Sequence, residues 1–130
     1  MTQILVVDDD PQLRRLTARV LQRAGFQVSV AEDGSSALAM LNGSRFELLV
    51  TDILMPNQDG IGTIIQVKRD HPKLKVIAIS GSGDTVGMNY LDFAKKLGSD
   101  AVLRKPFEFD DLVSTVKQLL GLVDQESLSA

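Results

Sequence analysis

The chain has 130 residues, of which 44% are hydrophobic and 24% charged, with a net charge of −3 and no cysteine. These values are typical of one globular domain with a real core, and they do not favour nucleic-acid binding through overall charge. The lack of cysteine excludes disulfides and thiolate metal sites and suits the cytoplasm, and no apolar stretch approaches the roughly 20 residues of a membrane span.

Short apolar runs alternate along the chain with helical patterns. The predicted strands are Ile4–Val7, Val28–Ala31, Leu48–Thr51, Val76–Ile79 and Ala101–Leu103. Apolar residues at helical spacing follow each strand: Leu13, Leu16, Val20 and Leu21; Ala37, Leu38 and Leu41; Ile61, Ile64 and Ile65; Leu91, Ala94 and Leu97; Leu112, Val113, Val116, Leu119 and Leu120. Pro11 suits a first helical turn after an Asp10 cap, and helices are expected to stop at Gly25, Gly43 and Gly98.

Five strand-helix units predict an α/β fold, a doubly wound parallel sheet with helices on both faces. The second strand alternates, with Phe26, Val28 and Val30 against Gln27 and Ser29, which favours an edge position. An edge second strand fits the flavodoxin-like order 2-1-3-4-5. We expect residues 1–120 to form one domain and residues 121–130 to be a C-terminal tail or the start of a linker.

Four acidic residues follow two of the predicted strands. Asp8-Asp9-Asp10 comes directly after the first strand, and Asp52 comes directly after the third. In the order 2-1-3-4-5 these two strand ends flank the switch point where ligands bind. Like charges about 4 Å apart at an effective dielectric of about 20 repel by about 4 kcal/mol, so a cation usually accompanies such a cluster. The sequence therefore predicts a divalent-metal site.

The remaining strand ends add a hydroxyl and an ammonium group. Ser80 ends the fourth strand before the glycine-rich residues 81–87, and Lys105 follows the fifth strand. A phosphoryl group brings a charge of about −2 and three acceptor oxygens, and it needs a metal, a cation and short donors around it. This mixture of side chains indicates phosphoryl chemistry.

Together these residues resemble the receiver domain of two-component response regulators, the CheY-like superfamily. The matching pieces are Asp8-Asp9, the Asp-x-x-Met-Pro-x-x-Asp-Gly stretch at Asp52–Gly60, Ser80 and Lys105-Pro106-Phe107. Each piece is weak by itself, but in this order and at this spacing the set is highly specific. The resemblance covers about residues 3–120, nearly the whole chain.

The resemblance implies a role for each matched residue. Asp52 would accept the phosphoryl group as an acyl phosphate, Ser80 would donate its hydroxyl to that group, and Lys105 would pair first with Asp52 and then with the phosphoryl oxygens. The implied Mg²⁺ ligands are Asp9, Asp52, the backbone carbonyl of Leu54 and, through water, Asp8. The Lys105-Pro106 peptide bond is expected to be cis.

The implied partner is a sensor histidine kinase or phosphotransfer protein, which supplies the phosphoryl group from a phosphohistidine. The chain would be a cytoplasmic switch that catalyses only its own phosphorylation and dephosphorylation, with no direct contact to nucleic acid or membrane. Its output surface would comprise the fourth and fifth helices and the fifth strand. That surface would serve an effector domain, a downstream protein or a second copy.

Several residues carry plainer expectations. Asp10 is expected to be a helix cap, Arg14-Arg15 a solvated helix face, and His71 an exposed turn residue. Val102 departs from the receiver pattern, because many receivers carry Tyr or Phe three residues before the lysine. Valine has no ring, so it cannot report a ring rotation as those residues do.

Two other functions compete with this interpretation. A haloacid-dehalogenase-type phosphatase would use Asp8 as its nucleophile, and its Asp-x-Asp motif is formally present at Asp8-Asp9-Asp10. However, Pro11 follows where that family continues with Gly-Thr or Gly-Val, and the late acidic pair is missing. A flavodoxin-like nucleotide binder is disfavoured because carboxylates after the first strand would repel its phosphate.

Overall fold

The five predicted strands form one parallel sheet. The computed structural model describes residues 2–55, 58–80 and 98–122, apart from the side chains of residues 54–61. The strands are β1 Gln3–Val7, β2 Gln27–Ala31, β3 Leu48–Asp52, β4 Lys75–Ser80 and β5 Ala101–Arg104. Their order is β2-β1-β3-β4-β5, and every neighbouring pair is parallel. This confirms the predicted order 2-1-3-4-5 and the edge position of the second strand.

Helices cover both faces of the sheet. They are α1 Pro11–Arg23, α2 Gly34–Gly43, α3 Gly60–Asp70 and a C-terminal helix, Phe109–Leu119. The predicted stripe Leu91, Ala94 and Leu97, the glycine-rich residues 81–87 and the tail residues 123–130 lie outside the described residues. Among the helices of the described ranges, none has the length and apolar character needed to cross a bilayer.

The start of α1 follows from its sequence. The Asp10 side chain accepts hydrogen bonds from the backbone N–H groups of Gln12 and Leu13, at 3.0 and 3.3 Å. Pro11 occupies the first helical position, where its missing N–H leaves no intrahelical bond unmade. Asp10 is therefore the predicted cap, and α1 begins directly beside the end of β1.

The core consists of two apolar layers, one on each face of the sheet. Along β1, Leu5 and Val7 face the layer that includes α2 and α3, while Ile4 and Val6 face the layer that includes α1 and the C-terminal helix. All five residues of β3 are buried. Each fully buried aliphatic side chain contributes about 1.5–3 kcal/mol to folding stability, so burial of the central strands stabilises the sheet. Their carboxyl ends carry the candidate site.

Candidate functional site at the carboxyl ends of the strands

Three carboxylates converge where β1 and β3 end. The register pairs Val7 with Thr51, so the residues that follow these two positions are neighbours. Asp8, Asp9 and Asp52 each offer a carboxylate oxygen, and these oxygens lie within 4.8 Å of one another. Asp8 and Asp52 are only 6% and 5% exposed, whereas Asp9 is exposed. The arrangement has the donor chemistry of a hard-cation site that is open on one side.

Lys105 supplies a positive charge to this cluster. Its Nζ atom lies 2.7 Å from Oδ2 of Asp52 and 3.9 Å from Oδ2 of Asp8. Burial by itself lowers the pKa of Lys105, but the hydrogen bond to Asp52 and the charges of Asp52, Asp8 and Asp10 outweigh it, so the pKa is raised above 10.5. Lys105 is therefore fully protonated at neutral pH.

The backbone fixes Lys105 at the end of the sheet. Its N–H donates to the carbonyl oxygen of Ser80 at 2.7 Å, which extends the pairing of β4 with β5. Ser80, at the end of β4, is completely buried. The Lys105-Pro106 peptide bond is cis, as expected. Ser80 and Lys105 thus lie on the same edge of the sheet as the three carboxylates.

Asp8 is held in place from both sides. Its N–H donates to the carbonyl oxygen of Ala31 at 3.2 Å, and its Oδ1 accepts the N–H of Asp10 at 3.0 Å. Burial raises the pKa of the Asp8 carboxyl above 3.8, although the hydrogen bond from Asp10 and the charge of Lys105 oppose the rise. The charges of Asp52 and Asp9 raise this pKa further. A charged Asp8 therefore destabilises the metal-free fold.

We expect an Asp8→Asn variant to be more stable than the wild type in EDTA at neutral pH, by about 1 kcal/mol. A raised folded-state pKa means that the native protein binds this proton more tightly than the unfolded chain. The destabilisation is thus largest above the folded pKa and disappears as the pH falls below 3.8. Urea unfolding from neutral to acidic pH measures the effect. A gain that grew toward acidic pH would contradict this assignment.

Arg14 belongs to the site's surroundings, which the sequence did not indicate. Its Nη1 donates to the carbonyl oxygen of Asp8 at 2.8 Å, and the side chain is half-buried. The expectation of a solvated helix face holds for Arg15, which is exposed, but it is wrong for Arg14. The contact could have been expected from helix geometry, because helical side chains point back toward the helix N-terminus and Arg14 is in the first turn of α1. Arg14 fixes the peptide group that joins Asp8 to Asp9.

We expect an Arg14→Gln variant to lose about 0.5–1.5 kcal/mol of unfolding free energy, because a partly buried hydrogen bond to the Asp8 carbonyl is removed. The matched control is Arg15→Gln on the same helix, where the change is expected to stay within about 0.5 kcal/mol. Guanidinium unfolding of both variants makes the comparison. Equal losses would show that Arg14 acts only through helix propensity or net charge.

The other predicted residues have different surroundings. Leu54 begins a two-residue strand that pairs antiparallel with Gln58–Asp59, and the role of its carbonyl stays a prediction. Val102 pairs with Ala78 and packs against the apolar layer on the α2 and α3 face. His71 lies far from the site, at the amino end of the sheet. It is half-buried rather than exposed, and its Nε2 is 3.2 Å from Oδ1 of Asn42.

Comparison with known proteins identifies the family. The model of the response regulator receiver domain matches residues 4–117. The response regulator receiver protein CpdR of Brucella abortus is 37% identical over 121 residues, which cover 92% of this chain and 98% of CpdR. The transcriptional regulatory protein CpxR of Klebsiella pneumoniae is also 37% identical, over 92% of this chain but only 50% of CpxR. The chain thus spans about half the length of CpxR and nearly all of CpdR.

A solved structure shows the same fold. The response regulator protein TrrA of Thermotoga maritima, in complex with Mg²⁺ and BeF, superposes with a TM-score of 0.79 at 30% identity, over 92% of this chain and 99% of TrrA. The chain belongs to the response regulator receiver domain family and has its CheY-like, flavodoxin-type fold. It is a receiver domain of two-component signalling, and such a domain is a signalling switch. These relationships favour the receiver over the haloacid-dehalogenase-type phosphatase.

Proposed function

We propose that Asp52 accepts a phosphoryl group and that Lys105 and Ser80 assist the transfer. The observation that carries this proposal is the 2.7 Å contact between Lys105 Nζ and Asp52 Oδ2, beside two further carboxylates. Asp52 ends a fully buried strand, and its carboxylate lies within 4.8 Å of that of the exposed Asp9. A nucleophile, a charge-stabilising ammonium and a hydroxyl donor together suit phosphoryl transfer.

The residues present fit a magnesium ion. Carboxylate and carbonyl oxygens are the ligands that Mg²⁺ takes, and it keeps several waters, which suits a cluster with one exposed member. We infer that Asp9 and Asp52 bind it directly, with the Leu54 carbonyl as a third ligand and Asp8 acting through water. The ion, when bound, supplies positive charge that offsets the repulsion between Asp52 and an incoming phosphoryl group. The complex of TrrA with Mg²⁺ and BeF supports this choice of metal.

The transfer step uses the chain's own groups. A carboxylate oxygen of Asp52 forms a bond to phosphorus as the bond between phosphorus and the donor's histidine nitrogen breaks, and that nitrogen retains the electron pair. Lys105 then pairs with a phosphoryl oxygen in place of the Asp52 oxygen, because its ammonium already lies between Asp52 and Asp8. The Ser80 hydroxyl donates to another phosphoryl oxygen. Hydrolysis of the same acyl phosphate resets the switch.

The partners follow from this chemistry. The donor is a sensor histidine kinase or a phosphotransfer protein, and the output passes through the surface that contains β5 and the C-terminal helix to an effector domain or a downstream protein. The same surface is the candidate for pairing of two copies. The proposal takes residues 1–120 as the receiver and residues 121–130 as a tail or linker. It places the switch in the cytoplasm, without direct contact to nucleic acid or membrane.

The test is phosphorylation by a small donor. Incubation with acetyl phosphate and Mg²⁺ is expected to add the mass of one phosphoryl group, as measured by intact-protein mass spectrometry. The same mixture with EDTA serves as the control and should show little gain. A folded protein that gained no mass with Mg²⁺ and acetyl phosphate present would overturn the proposal.

A further inference from the structure

A groove lies at the amino end of the sheet, opposite the phosphorylation site. It comprises a cavity of about 640 Å³ and a neighbouring cavity of about 530 Å³, which share the loop residues 44–47 between α2 and β3. Since β3 spans five residues at about 3.3 Å each, this end of the sheet is roughly 15 Å from Asp52. We call this feature the basal groove.

The larger cavity offers an apolar surface. Leu41 and Leu74 are buried in its wall, and Phe46, Leu119 and Leu120 are half-buried there. Half-buried aromatic and aliphatic side chains gathered in a concave site are suited to hold an apolar anchor residue. The volume is within the range of about 300–1,000 Å³ that is usual for ligand sites.

Three cations surround this apolar surface. Arg45, Lys73 and Lys75 line the groove and are exposed. Within the described ranges, none of the three takes part in an ion pair. The acidic residue of the lining, Glu47, turns its carboxylate to the backbone N–H of Gln3 at 2.6 Å. The groove is therefore locally positive, although the chain carries a net charge of −3.

We propose that the basal groove binds an acidic peptide segment of a partner protein, with an apolar side chain in the larger cavity and carboxylates on Arg45, Lys73 and Lys75. Charge complementarity selects the ligand, because three exposed cations that form no ion pair with the described residues favour a negatively charged segment. The apolar wall sets a second requirement, since carboxylates alone would leave it uncovered. The groove lies away from the phosphorylation site, so docking there is independent of the proposed phosphoryl chemistry.

The experiment uses a defined probe, a fluorescein-labelled peptide that repeats the sequence Glu-Glu-Leu. Fluorescence anisotropy at low salt is expected to show saturable binding to the full chain. Replacing the peptide's leucines by glycine, or its glutamates by lysine, should abolish binding. The double variant Lys73→Glu/Lys75→Glu is expected to weaken binding about tenfold or more, and the wild-type interaction should weaken as salt is added.

The matched control carries the same change in net charge on another surface. Arg15→Glu/Arg19→Glu reverses two exposed cations of α1 and should change the affinity less than about twofold. Circular dichroism checks that both double variants are folded, and both should still be phosphorylated by acetyl phosphate. Equal weakening by the two double variants, binding of the lysine peptide, or no binding at all would overturn the proposal. Light scattering could instead show that the wild type is a dimer and that the Lys73→Glu/Lys75→Glu variant is a monomer. That result would assign the groove to a second copy of the chain and would also overturn the proposal.

Discussion

An Asp52→Asn variant is expected to gain no phosphoryl group from acetyl phosphate and Mg²⁺, under conditions in which the wild type gains one. The neutral amide is a poor nucleophile and cannot form the acyl phosphate, whereas its shape preserves the end of β3. In this variant Lys105 loses its ion pair with residue 52, but its ammonium group still lies 3.9 Å from Asp8, so the fold should remain intact. Intact mass after a fixed incubation is the measurement, and the wild type in EDTA marks the baseline.

An Asp8→Asn variant is the control that separates the two candidate nucleophiles. If Asp52 carries the phosphoryl group, Asp8→Asn should still be labelled, although more slowly, because one carboxylate near the metal has lost its charge. If the chain acted as a haloacid-dehalogenase-type phosphatase, Asp8 would form the covalent bond and this variant would not be labelled. Labelling of Asp52→Asn combined with no labelling of Asp8→Asn would reverse the assignment.

The position of the site could be predicted because it depends on the backbone periodicity of the strands. Parallel strands in the order 2-1-3-4-5 bring the residues after β1 and β3 to one edge, whatever their side chains do. Asp8 and Asp52 therefore follow from where two apolar runs end, and the cap by Asp10 follows from its position before Pro11. The strand ends and the helix cap each follow from a short pattern of neighbouring residues, and the structure shows all of them.

Side-chain contacts between distant elements could not be predicted in this way. Lys68 of α3 donates to the carbonyl oxygen of Leu74 at 2.9 Å and to Oδ2 of Asp100 at 3.1 Å, although Asp100 is 32 residues away. Asp100 also accepts the N–H of Val76 at 2.8 Å. Such a contact depends on helix rotation and side-chain rotamers, for which the pattern of apolar residues gives no information.

The absence of an aromatic ring at Val102 changes what the switch can use. Val102 is half-buried against the apolar layer and paired with Ala78, two positions before Ser80. A valine has two methyl groups and a stiff χ1 angle, so it cannot swing between an outward and an inward position as a Tyr or Phe ring can. If Asp52 carries a phosphoryl group as proposed, we expect the response to involve Ser80 rather than a ring rotation at position 102.

Replacing Lys105 by Met is expected to lower both the free energy of unfolding and the rate of phosphorylation, and only the first should recover when Mg²⁺ is added. Lys105 is the cation within 4 Å of Asp8 and Asp52 in the described part of the chain, so its removal leaves two buried carboxylates close together. Loss of one partner from a buried pair costs about 3–5 kcal/mol, and since Lys105 is 27% exposed we expect about 1–3 kcal/mol in EDTA. The raised pKa of Lys105 means that its contribution is fully present below pH 10.5 and is lost as the pH rises through the folded-state value.

Magnesium should reverse this loss, whereas phosphorylation should not recover. Without the competing ammonium, the carboxylates are expected to bind Mg²⁺ more tightly, so added Mg²⁺ should stabilise Lys105→Met more than it stabilises the wild type. The rate of labelling by acetyl phosphate should still fall about 100-fold or more, because no ammonium group then pairs with the transferred phosphoryl oxygens. A Lys105→Arg control keeps the charge with a different geometry and should recover stability in EDTA more fully than it recovers labelling. Unfolding curves with and without Mg²⁺, paired with labelling rates, test both parts, and normal labelling of Lys105→Met would exclude Lys105 from the transfer step.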